Sequence, residues 1–364
     1  MAEEYRHETI PSMLRRCQGW DYKGRGIYML TLIVRDRQPL LGDLTGDVSN
    51  AQIALTDLGI AVNTEVERIP DHFPQIRILG KQVMPDHLHM LLFVQEPLPV
   101  HLGTVINGFK LGTNRVYWNA FSERTLTEHQ QRVSSAAVFG TAEKEVSCAR
   151  SFGEREKLPG FWSDGYHDRI LFHEGQLDAL IRYIYDNPRR LALKRANPDL
   201  FRIHQQTHVG GVPCTTLGNM FLADYPQKAV LQCSRSLTPA DIATLRDECL
   251  AEAANGTIYI TAAISEGEKR IARTLREAGY PLIVLLEDGF PQPDSPHYRY
   301  FKPQGVYFEA CATGKLLLVE PAAALIDHPT IAAQVTAKAG DLPHTSKRYR
   351  FLALNAIAAE IAGK

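Results

Sequence analysis

Two histidines, His87 and His89, stand one residue apart in the apolar run VMPDHLHMLLFV; about a hundred residues later, Tyr183 and Asn187 stand four apart in RYIYDNP. Side chains alternate along a strand, so the two imidazoles share a face with their Cα atoms roughly 6 to 7 Å apart. At that spacing they can chelate one metal ion, whereas a lone strand histidine is usually a satisfied packing residue. Residues four apart share a helix face, so Tyr183 and Asn187 present a phenol and an amide together. Brought to the imidazoles, they would supply a nucleophile and a third metal ligand. H-x-H also suits metal-dependent hydrolases whose nucleophile is water, in which Tyr183 would only pack. Basic clusters at Arg15, Arg16, Lys23 and Arg25, and at Arg189, Arg190, Lys194 and Arg195, are candidate phosphate contacts, although a solvated face has the same composition.

The elements that must position these groups are readable from periodicity. Residues 24–37 read as a buried strand after a glycine turn, and 50–70 as a helix capped by Asn50 and stopped by Pro70. Residues 75–80 and 82–94 read as two strands and 99–121 as an amphipathic helix. Strand, helix, strand pair, helix is the order of a split βαβ, ferredoxin-like α+β unit with helices on one side of an antiparallel sheet. Residues 122–158 are polar, charge-rich and aperiodic, which predicts an insertion or flexible loop. A further strand is expected over 160–172 and a helix over 174–195, which Pro188 should end or kink near Asn187.

After HQQTHVGGVP (204–213) the pattern changes, which places a first domain at 1–205, a linker at 206–225 and a second domain at 226–364. In the second domain KAVLQCS is strand-like, and the next helix opens with Thr238, Pro239 and Asp241 and closes at Gly256. TIYITAAIS, EGEKRIARTLREAGY, PLIVLLEDG and GKLLLVE continue as strand, helix, strand, strand. That alternation, with continuously apolar strands, predicts an α/β Rossmann-like domain whose parallel sheet is covered on both faces. No G-x-G-x-x-G or P-loop is present, so phosphate binding would fall to Ser265 and Gly267 at a helix N-terminus; a binding or scaffolding role without catalysis is expected.

Composition narrows the class. A chain of 364 residues is long for one ordinary domain and suits two. The formal net charge of −1 gives no overall footprint for nucleic acid, so phosphate binding must come from a local patch. The six cysteines, Cys17, Cys148, Cys214, Cys233, Cys249 and Cys311, form no C-x-x-C pair and read as reduced packing thiols. No apolar run reaches bilayer length and the N-terminus lacks a signal-peptide layout, so a cytoplasmic protein with no membrane partner is expected.

Four blocks in fixed order, GWDYKGRGIYMLTLIVRDRQPLLGDL, VMPDHLHMLLFV, INGFK and FWSDGYHDRILFHEGQLDALIRYIYDNP, resemble the single-tyrosine HUH transposases, most closely the REP-associated tyrosine transposases. The resemblance spans about residues 15–200 and implies a ferredoxin-like HUH nuclease domain. It implies His87 and His89 as metal ligands, Asn187 as the third, and Tyr183 rather than Tyr185 as nucleophile. Lys110 in INGFK becomes a candidate DNA-phosphate contact. The implied metal is Mg²⁺ or Mn²⁺, and a nitrogen-rich ligand set also suits Zn²⁺. The implied partner is single-stranded DNA beside a hairpin, cut and rejoined through a covalent 5′-phosphotyrosine without ATP. The chain departs from the family in PDH, where asparagine commonly precedes the first histidine, in the tail NPRRLALKR, and in the extra residues 122–158. These bear on hairpin specificity and local geometry. The other readings are the water-nucleophile hydrolase and a non-transposing hairpin-DNA-binding protein whose second domain recruits a partner. The C-terminal element order resembles the Rossmann-like fold of DNA-processing protein A. Both a monomer and a homodimer fit the sequence.

Overall fold

The computed structural model describes residues 17, 19–137, 160–173, 175–234, 236–290, 303 and 305–363, with the backbone alone for 120–137 and 306. The chain divides into two compact units, Met1–Ala192 and Leu193–Lys364. It is a mixed α and β protein with antiparallel pairing in both.

The first unit runs β1 (Gly26–Ile33), β2 (Gly42–Thr45), β3 (Gln52–Leu55), α1 (Asp57–Glu67), α2 (Ile69–His72), β4 (Ile76–Met84), β5 (His87–Val94), α3 (Leu102–Ala137), β6 (His167–Ile170) and α4 (Gln176–Ala196). Four of these strands form an antiparallel sheet in the order β4-β5-β1-β6, and β2 and β3 pair separately. Alternation gives the sheet two unlike faces. Tyr28, Leu30 and Leu32 of β1 and Leu88, Met90 and Leu92 of β5 enter the larger core with Val62 and Val66 of α1 and Leu102, Ile106 and Phe109 of α3. Met29 and Leu91 point the other way and meet Leu180 and Ile184 of α4. Helices therefore cover both faces, where the order of elements led us to expect one.

Several boundaries differ from expectation for local reasons. The helix expected over 50–70 begins only after Thr56, whose Oγ1 accepts from the Gly59 amide at 3.1 Å. Asn50 instead closes a turn, its Oδ1 accepting from the Asp47 amide, and residues before Thr56 pair as β3. Pro70 lies in the first turn of α2 and so starts a helix as well as ending one. The break between the two strands falls at Pro85 and Asp86, not at 81, because β4 continues through a bulge between Ile78 and Gly80. Residues 122–137, expected as part of an insertion or loop, extend α3: they hold helix formers without glycine or proline, and their polarity hid the period. The remainder of that insertion, 138–158, lies outside the described residues. The strand expected over 160–172 is confined to His167–Ile170, with a single bridge from Trp162 to Val34.

Pro188 neither ends nor marks the boundary of α4, which continues to Ala196. A proline at 188 removes the N–H that would reach the Ile184 carbonyl. Asn187 supplies the missing donor: its Nδ2 donates to Ile184 O at 3.2 Å and to Tyr183 O at 2.8 Å.

The second unit contains β7 (Ile203–Val209), β8 (Val212–Gly218), β9 (Lys228–Val230), α5 (Pro239–Ala254), β10 (Ile258–Thr261), α6 (Glu266–Glu277), β11 (Leu282–Leu285), α7 (Gly305–Ala312), β12 (Leu316–Pro321), α8 (Ala323–Ile326), α9 (Pro329–Ala339) and α10 (Lys347–Ile361). The segment expected as a linker, 206–225, is largely the β7–β8 hairpin. Gly210 and Gly211 turn it at φ 58° and 82°, a left-handed pair that suits a two-residue hairpin turn. The sheet order is β7-β8-β12-β11-β10-β9, with β9 to β12 mutually parallel and β8 antiparallel to β12. Each crossover steps the same way across the sheet, which places α5, α6 and α7 on one face, with Cys249, Ile271, Leu275 and Cys311 buried there. The opposite face is covered by α9 and α10 through Ile331, Val335, Ala353 and Ile357. Cys214, Cys233, Cys249 and Cys311 are buried thiols outside any disulfide. No helix among the described residues is long and apolar enough to cross a membrane.

Candidate active site

β5 alternates, so its two imidazoles leave the main core and face the side occupied by α4. His87 and His89 are 6% and 5% exposed, with ring centroids 4.7 Å apart and planes at 81°. His89 lies in register with Thr31 of β1, and its Nδ1 is 2.9 Å from Thr31 Oγ1. His87 Nδ1 lies 2.5 Å from Oδ1 of Asp86 in the hairpin turn. Arg37 Nη1 donates to Oδ2 of the same carboxylate at 3.1 Å. Burial pushes the Asp86 carboxyl up, but the His87 contact and the charges of His87 and Arg37 outweigh it and hold it well below the usual carboxylate range. The Val34 amide donates to Asp86 O and the Leu41 amide to Pro85 O, stitching this turn to the loop after β1. Asp36 and Arg37 hold φ near 55° in that loop, a conformation non-glycine residues seldom adopt.

α4 brings Tyr183 onto the imidazole face. Its ring centroid is 5.7 Å from that of His89, with planes at 62°. Tyr183, Asn187 and Arg190 follow at i, i+4 and i+7 on one stripe, and the Arg190 guanidinium sits 5.5 Å from the Tyr183 centroid. Burial raises the Tyr183 phenol, and Arg190 opposes that rise. The Tyr183 hydroxyl makes no hydrogen bond to any described residue. The hydroxyls of Tyr22, Tyr259 and Tyr349, by contrast, donate to Asp168, Glu252 and the Ile326 carbonyl, and that of Tyr28 accepts from Trp20. Asn187 is buried with its Nδ2 on the helix backbone, which leaves Oδ1 as the atom able to ligate.

The other sequence-selected residues are dispersed. Tyr185 is 56% exposed, with its hydroxyl beside Gly80 of β4. The Lys110 ammonium donates to the carbonyls of Ser163 and Gly165 at 2.7 and 3.0 Å, and burial lowers its pKa. Arg189 is paired with Asp186. Lys194 sits over the rings of Phe201 and Phe308 in the second unit, and Arg195 is exposed. Lys23 and Arg25 are exposed, with Arg25 over Phe93; Arg15 and Arg16 lie outside the described residues. Sequence reasoning passed over Asp86, Arg37 and Thr31. Their signals were an aspartate abutting the first histidine and a single threonine inside the apolar strand YMLTLI.

In the second unit the chain itself fills the expected phosphate position. The Glu268 carboxylate accepts from the amides of Ile264, Ser265 and Cys233, and Ser265 Oγ accepts from the Glu268 amide. Gly267 lacks a side chain where a Cβ would run into Cys233 Sγ.

Among the described residues no group of three or more His, Cys, Asp or Glu side chains converges on one point. A metal bound by this face therefore needs an amide or substrate oxygen beside the two imidazoles. The rings fit such a role: with Nδ1 directed to Asp86 and Thr31, Nε2 is the nitrogen each would offer.

No protein-family model matches the chain. It is 24% identical over 174 residues to an uncharacterised protein of Haemophilus influenzae, covering 48% of this chain and 86% of that one. Among solved structures, similarity covering 48% of the chain links it to a REP-associated tyrosine transposase bound to a REP hairpin, at TM-score 0.29 and 14% identity over 72% of that chain. It likewise links it to a candidate transposase of Deinococcus radiodurans R1, at TM-score 0.23 and 16% identity over 96% of that chain.

Proposed function

We propose that the first unit is a metal-dependent, single-stranded DNA nicking and joining enzyme of the single-tyrosine HUH type, acting beside hairpins. The observation that carries this reading is the placement of Tyr183. Its ring packs on His89 on the same face as His87, and its hydroxyl has no hydrogen bond to the described fold. The order β4-β5-β1-β6, with α1 between β1 and β4 and α3 between β5 and β6, supports a ferredoxin-like arrangement.

In this reading His87 Nε2, His89 Nε2 and Asn187 Oδ1 hold Mg²⁺ or Mn²⁺, with Zn²⁺ a further candidate. A bound divalent ion supplies polarisation of a non-bridging phosphate oxygen as charge develops. Asp86 and Thr31 keep the Nδ1 proton on each ring, and Arg37 fixes Asp86. Tyr183 loses its phenol proton and attacks phosphorus. The bond from phosphorus to the Tyr183 oxygen forms, the bond to the 3′ oxygen breaks, and that oxygen takes a proton from water in place of the one the phenol gave up to water, leaving as a hydroxyl, so the 5′ phosphate stays on the tyrosine. Arg190, over the Tyr183 ring, is placed to offset the negative charge of the ionised phenol. Reversal with a different 3′ hydroxyl joins strands with no external energy source, since one phosphodiester replaces another.

The test is incubation with hairpin-bearing single strands and Mn²⁺, followed by denaturing electrophoresis. A protein–DNA adduct that needs the metal and is lost in Tyr183→Phe is the expected result. An adduct that survives Tyr183→Phe overturns the assignment of the nucleophile. Cleavage with no adduct points to a water nucleophile, and hairpin binding without cleavage to a binding protein.

A further inference from the structure

At the edge of the first unit's sheet, β6 and the turn into α4 line an open pocket of about 510 Å³. That volume is in the range of small-ligand sites. Its apolar wall is Phe172, which is 56% exposed and which Trp20 meets edge-on, with ring centroids 5.1 Å apart and planes at 90°. The backbone under this ring is pinned: the amides of Phe172 and His173 both donate to Gln176 Oε1, at 2.9 and 3.1 Å. A solvent-facing aromatic ring held in one orientation is the form in which a protein offers a stacking surface.

The polar groups in the pocket narrow what can stack there. The Tyr22 hydroxyl accepts from the Cys17 amide at 3.2 Å and donates to Asp168 Oδ2 at 2.6 Å. Among the described residues no group donates to Asp168 Oδ1, so the pocket offers a carboxylate oxygen in a fixed position. A carboxylate beside the ring repels phosphate and accepts from an N–H donor. Side chains alternate along β6, which turns the next residue, Arg169, to the other face of the sheet. Arg169 is exposed and in register with Met29, whose side chain meets α4, so it shares the face of the imidazoles. β6 lies two strands from β5, roughly 10 Å away. A strand with one phosphate at His87 and His89 therefore brings a neighbouring nucleotide to this edge.

We propose that the pocket holds one unpaired base of the single strand, stacked on Phe172, with its amino group donating to Asp168 Oδ1 and its phosphate at Arg169. Adenine and cytosine carry such an amino group. Thymine does not: its N3–H lies between two carbonyl oxygens that the carboxylate repels, so thymine is the base this pocket rejects. The inference rests on the reading of the first unit as a single-strand enzyme and adds to it a base-selective site outside the metal face.

The test is fluorescence anisotropy of the full-length protein with labelled (dA)₈, (dC)₈ and (dT)₈ in EDTA, so that binding is read without cleavage. (dA)₈ and (dC)₈ should bind roughly fivefold tighter than (dT)₈ or better, and Phe172→Ala should weaken both by a similar factor, the scale of one stacked base. Asp168→Asn, which keeps an oxygen for Tyr22, should bring all three strands to within about twofold of one another. Thermal melting checks that each variant is folded. Equal binding of the three strands by wild type, a preference that survives Asp168→Asn, or affinity unmoved by Phe172→Ala overturns the proposal. Displacement of (dC)₈ by an equal concentration of dCMP also overturns it, by assigning the pocket to free nucleotides. The adduct assay reports the parent reading separately. A Tyr183 adduct alongside an indifferent pocket sinks this site alone, base-selective binding without an adduct sinks the nicking reading alone, and no binding of any single strand sinks both.

Discussion

Asn187 offers a direct way to separate support of the helix from support of the chemistry. Its Nδ2 donates to the Tyr183 and Ile184 carbonyls, and Ile184 is fully buried. Asn187→Ala removes both bonds and strands the Ile184 carbonyl, because Pro188 has no N–H to offer it. Leaving a buried backbone acceptor unsatisfied costs about 1 to 3 kcal/mol. Pro188→Ala in that background restores the amide and removes an interior proline whose usual cost is about 3 kcal/mol. The double variant should therefore return to wild-type stability or exceed it. Urea denaturation followed by tryptophan fluorescence reads the relevant unit, since Trp20, Trp118 and Trp162 all precede residue 193. A Mn²⁺ titration on the same proteins gives the second readout. If Asn187 Oδ1 is also a ligand, the double variant folds normally and still binds Mn²⁺ at least tenfold more weakly. An Asn187→Ala protein as stable as wild type, or a loss that Pro188→Ala does not repair, would refute the account of the helix.

Tyr183→Phe should keep stability within about 0.5 kcal/mol of wild type while abolishing the covalent adduct, because the ring is retained and the hydroxyl bonds nothing in the described fold. Asp86 has a lowered pKa, so the stability it contributes is present above the ordinary aspartate value near 4 and lost as pH falls through its depressed folded value. In paired denaturation curves, the gap between wild type and Asp86→Asn should thus narrow as pH drops below about 4; a gap that widens there contradicts the carboxylate's role. Gly59 meets the Leu41 carbonyl where a Cβ would stand, so Gly59→Ala should destabilise by about 1 to 3 kcal/mol despite improving helix propensity, as thermal melting will read.

The histidine pair was legible because strand alternation is a strict geometric rule, and Tyr183 and Asn187 because helical spacing is. What alternation could not tell was which face the imidazoles take. That depends on α4, whose cover of the second face is set by the pairing of β1 with both β5 and β6. Thr31 was invisible as a partner because its contact crosses a strand pair and has no fixed sequence offset, whereas Asp86 adjoins His87 in the chain and adjacency alone does not say that the two side chains meet. The errors over 122–137 and at Pro188 have separate causes. In the first, a helix without an apolar stripe leaves no period to read; in the second, a side chain took over a backbone hydrogen bond, which propensity rules do not count. The linker assignment failed because Gly-Gly serves a tight hairpin as readily as a flexible joint.

The hydroxyl at position 183 has a bearing on what selection can see. Folding constrains the ring, which fills the space beside His89, yet is blind to one oxygen atom that bonds to nothing in the described structure. A lineage that needed only the shape would drift to phenylalanine there at no cost. If the proposed function holds, the residue at this single position among relatives that keep the two histidines would separate chains under pressure to cut from those that retain only the scaffold.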